Sequence, residues 1–189
     1  SDILSVLDFA AAEGIKAVIA GGCEAYKVAK ALATAQVPII LRPSIYGPAS
    51  FECLHSLEEN PALLHKAGAT VILSAGDWDQ NIRRLRQEAG MAVASGLPYQ
   101  AAISAITETP AKVFGKSSEV GTITVGKRAN LVLWSGDPLE LSSRAEAVFI
   151  GGVRVGNNVD RQFQLFQRYS GKWVGPSIAA PEVHLGLVP

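Results

Sequence analysis

Hydrophobic positions over the first 115 residues switch repeatedly between a helical period and unbroken apolar runs. "SDILSVLDFAAAEG" sets Ile3, Leu4, Leu7 and Ala11 at helical spacing behind Asp2, a residue able to cap a helix. "IKAVIAGG" is then continuously apolar and ends on two glycines, as a short strand buried on both faces does. The alternation continues with amphipathic "CEAYKVAKALATAQ" and apolar "VPIILRP". "ASFECLHSLEENPALLHKAG" reads as two short helices, the second capped by Asn60, with Pro61 at its first position and Gly68 at its end. "TVILSAGD" is the third apolar run, and helical spacing returns over about 81–95, in "LPYQAAISAIT" and in "TPAKVFG". The order α-β-α-β-α-β-α-α-α predicts an α/β fold, a parallel sheet covered by helices.

Beyond residue 115 the pattern becomes that of small β-structure. "VGTITVGKRANLVLWSGDPLE" predicts strands over 120–125 and 129–135, joined by a Gly126-Lys127-Arg128 turn and closed by Gly136-Asp137-Pro138. Leu131 and Leu133, with Val148 and Ile150, are the expected inward residues. From about Ser170 the tail "SGKWVGPSIAAPEVHLGLVP" carries three prolines and reads as extended.

Three parallel strands leave two open edges and cannot close on themselves. They fit the last part of an eight-stranded (β/α) barrel, whose full version needs about 250 residues. The sequence begins at Ser1, inside a helical pattern, and its one methionine is Met91, so a piece of a longer protein is expected. A free-standing three-stranded module is the rival; it requires a monodisperse monomer that unfolds cooperatively.

Seventeen basic residues balance seventeen acidic ones, which gives no electrostatic case for nucleic acid or an anionic membrane. Apolar runs such as 17–20 and 38–41 are far too short to span a bilayer. Cys23 and Cys53 lack C-x-x-C spacing, so neither a zinc site nor a disulfide framework is expected, and a cytoplasmic location is the default.

"EAGMAVASGLPYQAAISAITETPAKVFG" followed by "VGTITVGKRANLVLWSGDPLELSSRAEAVFIGGVRV" resembles the C-terminal end of the amidohydrolase superfamily, especially its imidazolonepropionase-like and prolidase-like branches. Asn130 stands where such relatives usually carry Asp. "IAGGCEAYKVAKALATAQVPIIL" resembles that family's strand 6, helix 6 and strand 7. The resemblance implies about strands 6–8 of a (β/α)8 TIM-type barrel over 1–115. It implies the C-terminal strands of a small β-sandwich over 116–158, followed by a C-terminal helix and extended tail over 159–189. The sandwich's partner strands would come from the missing N-terminal end.

The resemblance also implies a site at the strand ends: a His-x-His, often a carboxylated Lys, further His residues, and a strand-8 Asp, together holding a divalent metal, zinc above all. Such a metal lowers the pKa of bound water, and the Asp carries the proton. This chain has no H-x-H, and at the strand-6 position, where relatives carry His-Gly, it has Gly21-Gly22. Asp77 in "ILSAGDWDQ" is the candidate catalytic acid and metal ligand. Against some relatives, however, Gly76 falls at the Asp position; Asp77 also reads as an N-cap-like residue, and Asp79 is a further candidate.

Arg42, directly after "PIIL", would face the barrel mouth and hold a substrate carboxylate, or else form a structural ion pair. His55, in the following loop, is a second candidate substrate-binding residue. Gly21-Gly22 reads as a tight strand-to-helix turn, since no phosphate-loop signature accompanies it. His65 and Lys66 read as cations at a helix C-terminus.

The resemblance thus implies the C-terminal fragment of an enzyme that hydrolyses C–N bonds in small amides, dipeptide-type or cyclic, with metal-activated water. The 189-residue chain alone is expected to be inactive and metal-free. It should pair with the missing N-terminal barrel or self-associate through its open sheet edges. The alternative is a degenerate, non-catalytic member that binds a ligand or partner; the Gly21-Gly22 pair favours it.

Overall fold

The computed structural model describes residues 2–44, 47, 51–76 and 79–155. Helix α1 (Asp2–Glu13) leads into β1 (Ile19–Ala20), a 3-10 turn (Ala25–Val28) and α2 (Ala29–Ala35). Strand β2 (Ile39–Leu41) is followed by a 3-10 turn (Phe51–Cys53) and α3 (Asn60–Lys66). After β3 (Val71–Leu73), a 3-10 turn (Asp79–Arg84) runs into α4 (Leu85–Ala94), α5 (Tyr99–Ile106) and α6 (Glu108–Val113). Strands β4 (Leu131–Trp134), β5 (Ala145–Ile150) and β6 (Val153–Val155) complete the described chain.

The first three strands form the expected parallel sheet in the order β1-β2-β3, with Ile39 opposite both Ile19 and Val71 and Leu41 opposite Leu73. Every residue of β3 is buried, as a strand covered on both faces must be. Helices α1 to α5 close over it: Leu32 of α2, Ile39 of β2 and Leu64 of α3 lose all accessible surface and join Leu7, Ala89 and Ala102 in one cluster. Burying one such Leu or Ile side chain contributes about 2–3 kcal/mol. Among the described residues β1 and β3 are each paired on one side only, so both edges of the sheet are open. The chain is therefore an α/β fold with a partial, barrel-like parallel sheet and a separate antiparallel sheet.

That second sheet differs from its sequence reading in two ways. Residues 120–125 form no strand: Ile123 is 89% and Val125 102% exposed, and without a neighbour to complete a ladder their alternation has nothing to pair with. The register of β4 on β5 sets Leu131 against Phe149 and Val132 against Val148. Leu131 and Leu133 therefore share one face, and Val148 and Ile150 lie on the other. Only Ala147 is buried in these strands, while Leu133 and Ile150 stay exposed. With no strand before it, the 126–128 turn does not join two strands; Asn130 Oδ1 instead accepts from Gly151 N at 2.9 Å, tying the start of β4 to the β5–β6 turn.

Asn60 does not cap α3. It is the helix's first residue, and its side chain points elsewhere: Oδ1 accepts from Tyr26 N at 2.9 Å and Nδ2 donates to Gly22 O at 3.0 Å. A buried amide with partners on another segment is a tertiary tie. The C-terminal end of α3 is as expected, with His65 and Lys66 in its last turn. Sequence region 159–189 lies outside the described residues.

Candidate functional site at the strand ends

The C-terminal ends of β1 and β2 open on a cavity of about 180 Å³. Gly21 and Gly22 follow β1 with φ of +94° and +85°, the left-handed geometry that favours glycine, and Ala25 N donates back to Gly22 O at 3.0 Å. The tight-turn reading of this pair is the one the structure supports. Leu41, Pro43, Leu57 and Pro61 supply apolar wall, and Glu58 and Asn60 add polar groups.

Cys23 and Cys53 line the same cavity and form a disulfide, with their Cα atoms 5.5 Å apart. This overturns the expectation of two unrelated cysteines. Thirty residues separate them, but β2 and its return loop bring Cys53 back beside the turn after β1. The staple is reinforced by polar contacts. Glu24 Oε1 accepts from His55 N at 2.7 Å, and Tyr26 Oη donates to His55 O at 2.8 Å. Lys27 pairs with the other oxygen of Glu24. Hydrogen bonding from Lys27, then from the His55 backbone, holds the Glu24 carboxyl below its ordinary pKa.

Arg42 is the charged group at the end of β2. It is half-buried, and its Nε is fully buried with no hydrogen-bond partner. The side chain crosses to the end of β3 and lies on Gly76: a Cβ at that position would sit 2.3 Å from Nη1 and 3.0 Å from Cδ of Arg42. A side chain at 76 would have to push the guanidinium aside, and φ of +95° at Gly76 is the firmer, backbone reason for glycine. The loop that carries Arg42 is fixed from below. Glu88 of α4, 1% exposed, accepts from Ser44 N at 2.8 Å.

The sequence-derived candidates are thus separated. Arg42 lines the cavity; His55 is exposed and engaged with Glu24 outside it, its Nδ1 3.4 Å from Oε1. Asp77 lies outside the described residues, and of Asp79 only the backbone is described. The disulfide, the Arg42–Gly76 crossing and the Glu88 tie were not read from the sequence. The available signals were weak: a glycine between a strand end and an aspartate, and a cysteine directly after a strand-end glycine pair.

The described strand ends do not fit a metal ion. Gly21, Gly22 and Gly76 offer no side-chain ligand, the two sulfurs are bonded to each other, and Arg42 contributes a permanent positive charge. Among the described residues no three His, Cys, Asp or Glu side chains stand together as a ligand group. No helix among them is long and apolar enough to cross a membrane.

Comparison with known proteins fits this architecture. The sequence pattern of the amidohydrolase family matches residues 7–163. Amidohydrolase tasK of Hapsidospora irregularis is 32% identical over 91 residues, a match covering 48% of this chain and 9% of that protein. A solved amidohydrolase from Thermotoga maritima superposes with a TM-score of 0.76 at 32% identity, over 82% of this chain and 40% of its own. A prolidase solved with n-methylphosphonate-l-proline shares the fold at 17% identity and a TM-score of 0.58, over 74% of this chain and 40% of its own. The chain spans well under half the length of these relatives.

Proposed function

Because the chain belongs to the amidohydrolase family, we propose that it is the C-terminal portion of an enzyme that hydrolyses C–N bonds in small amides, dipeptide-type or cyclic. The branch nearest this reading is the imidazolonepropionase-like and prolidase-like one. In it, residues 1–115 supply barrel strands 6–8, 116–158 the sandwich strands, and 159–189 a helix and extended tail. The observation that carries the reading is a ligand-sized cavity at the C-terminal ends of parallel strands, the end at which barrel enzymes place their chemistry. Water would add across the amide, its hydroxyl going to the acyl carbon and a proton to the leaving nitrogen. Asp77 is the proposed group that carries this proton, and Arg42 and His55 are proposed to hold substrate.

A divalent metal such as zinc would need its ligands from outside the described residues. The chain alone would then be inactive, completed by an N-terminal barrel portion or associating through its open sheet edges. The disulfide supports maturation in an oxidising compartment over the cytoplasmic default.

A second reading, ligand binding without catalysis, is favoured by one observation: Arg42 occupies the space a side chain at 76 would need. The test is an assay of the complete protein on dipeptides and cyclic amides, wild type against Asp77→Ala. Turnover that falls at least a hundredfold in the variant supports hydrolysis. An inactive wild type, or an unaffected variant, would leave the binding reading in its place.

A further inference from the structure

We propose that the Cys23–Cys53 disulfide is a redox-sensitive latch: a dithiol reduces it in the folded protein and so releases residues 51–58 from the turn after β1. The inference rests on the disulfide and on how one segment is packed, not on hydrolysis.

Three observations carry it. The first is that the segment has almost no share in the interior. No described residue between Leu41 and Ala62 belongs to the hydrophobic cluster, Phe51 is 92% exposed, and Leu54 and Leu57 are exposed as well. Lifting 51–58 away therefore gives up little apolar burial. The second is the nature of its other ties. His55 N donates to Glu24 Oε1 at 2.7 Å, its O accepts from Tyr26 Oη at 2.8 Å, and its Nδ1 lies 3.4 Å from Glu24 Oε1. These contacts lie at the surface, where water competes for the same groups and each contributes little. The third is that the chain on either side is held without the sulfurs. Ser44 N donates to buried Glu88 at 2.8 Å, and Asn60, 5% exposed, bonds to Tyr26 N and Gly22 O. Opening the disulfide thus releases 51–58 and leaves both flanking clamps in place.

The co-reactant is a dithiol. Cys23 and Cys53 are half-buried, not enclosed, and both line the strand-end cavity, which gives a thiol a path to the pair. One thiolate of the reductant attacks a sulfur of the pair, and the other cysteine leaves as a thiolate. The reductant's second thiol then displaces the cysteine still bonded and closes a disulfide of its own. Two electrons and two protons pass to the chain. Cys53, Leu57 and Glu58 form one side of the cavity, and Gly21, Gly22 and Leu41 the other. When 51–58 lifts, the first side leaves with it while the second stays with the sheet. The latch therefore sets how large a molecule the strand ends admit.

The test treats the complete, oxidised wild-type protein with dithiothreitol and no denaturant. Thiols are trapped with iodoacetamide and located by peptide mass spectrometry, and amide exchange is followed in parallel. Cys23 and Cys53 are expected to be alkylated together, at least tenfold faster than the protein unfolds. Exchange in 51–58 should then rise at least tenfold while buried β3 keeps its rate, and re-oxidation should reverse the change. A maleimide carrying a long polyethylene glycol should label Cys23, on the fixed side, nearly as fast as N-ethylmaleimide does. Thiols that stay unreactive until the protein unfolds, unchanged exchange in 51–58, exchange that rises equally in β3, or a bulky maleimide kept from Cys23 would each overturn the latch. None of these readouts involves amide turnover. A failed latch therefore leaves the hydrolase reading standing, and a working latch in an inactive protein ends only that reading.

Discussion

The parallel sheet with its helices and the antiparallel sheet after residue 130 share one chain and are stabilised in different ways. The first has an interior of its own: Leu32, Ile39 and Leu64 are fully buried, and every residue of β3 is covered. The second has strands without an interior, since Leu133, Ile150 and Val153 are more than half exposed and Ala147 alone is buried in its strands. What holds the second in place is a seam to the first. Arg86 donates to Pro138 O at 3.2 Å and Glu140 O at 2.8 Å while lying 5.0 Å from the centre of the Trp134 ring. Tyr99 Oη donates to Asp137 at 2.8 Å. Regular hydrogen bonding in a sheet thus says little about where the burial that stabilises it comes from.

The contrast can be broken at graded strengths. Leu64→Ala should destabilise the parallel part by about 3 kcal/mol, because it opens a cavity in a closed core. Leu133→Ala, the same deletion on the exposed sheet, should cost under about 0.5 kcal/mol. Guanidinium unfolding of the two variants measures this directly, and equal losses would erase the distinction.

Replacing Cys23 and Cys53 together by Ala should cost about 3 kcal/mol, the loop-closure effect for a 30-residue separation. Hydrogen exchange should show the loss around 22–60 and leave β4 to β6 unchanged. At the seam, Arg86→Met should cost about 1 kcal/mol, and exchange should rise in β4 first. A rise confined to α4 would mean that the seam does not hold the second sheet.

The smallest effect depends on pH. Glu24 titrates below its ordinary value in the folded chain, so it stabilises fully above the ordinary carboxylate range. That contribution is lost as pH falls through the lowered value. The melting-temperature gap between wild type and Glu24→Gln should therefore be widest near neutrality and close below about pH 5. At the seam the sign of the alkaline response is opposite. Burial, and then the Asp137 hydrogen bond, raise the Tyr99 pKa, so its contribution is full below about pH 10 and fades as pH climbs past it.

How much was legible follows from the same contrast. The three parallel strands announced themselves because a strand covered on both faces must be apolar throughout, as "VIL" of β3 is. The two-stranded reading of 120–135 was half right, since alternation in "TITV" marks a strand only where a neighbour exists. Assigning Val148 and Ile150 to the face of Leu131 failed because faces depend on register, which the pattern of one strand does not contain. The pairing of Cys23 with Cys53 and the reach of Arg42 across to Gly76 are properties of strand neighbours. Local sequence spacing carries neither. Arg42 itself could be proposed because it follows directly on an apolar strand, where a charge is conspicuous.

Gly76 also constrains how this site can change. An aspartate introduced at 76 would meet the Arg42 guanidinium at less than contact distance. The guanidinium, the far end of a flexible side chain, can give way, but φ of +95° strains any side chain at 76 whatever stands at 42. Removing Arg42 first opens the room but leaves the strand ends without their charge. Position 42 can therefore adapt to a side chain at 76 by moving or shortening, whereas the backbone at 76 keeps its demand for glycine.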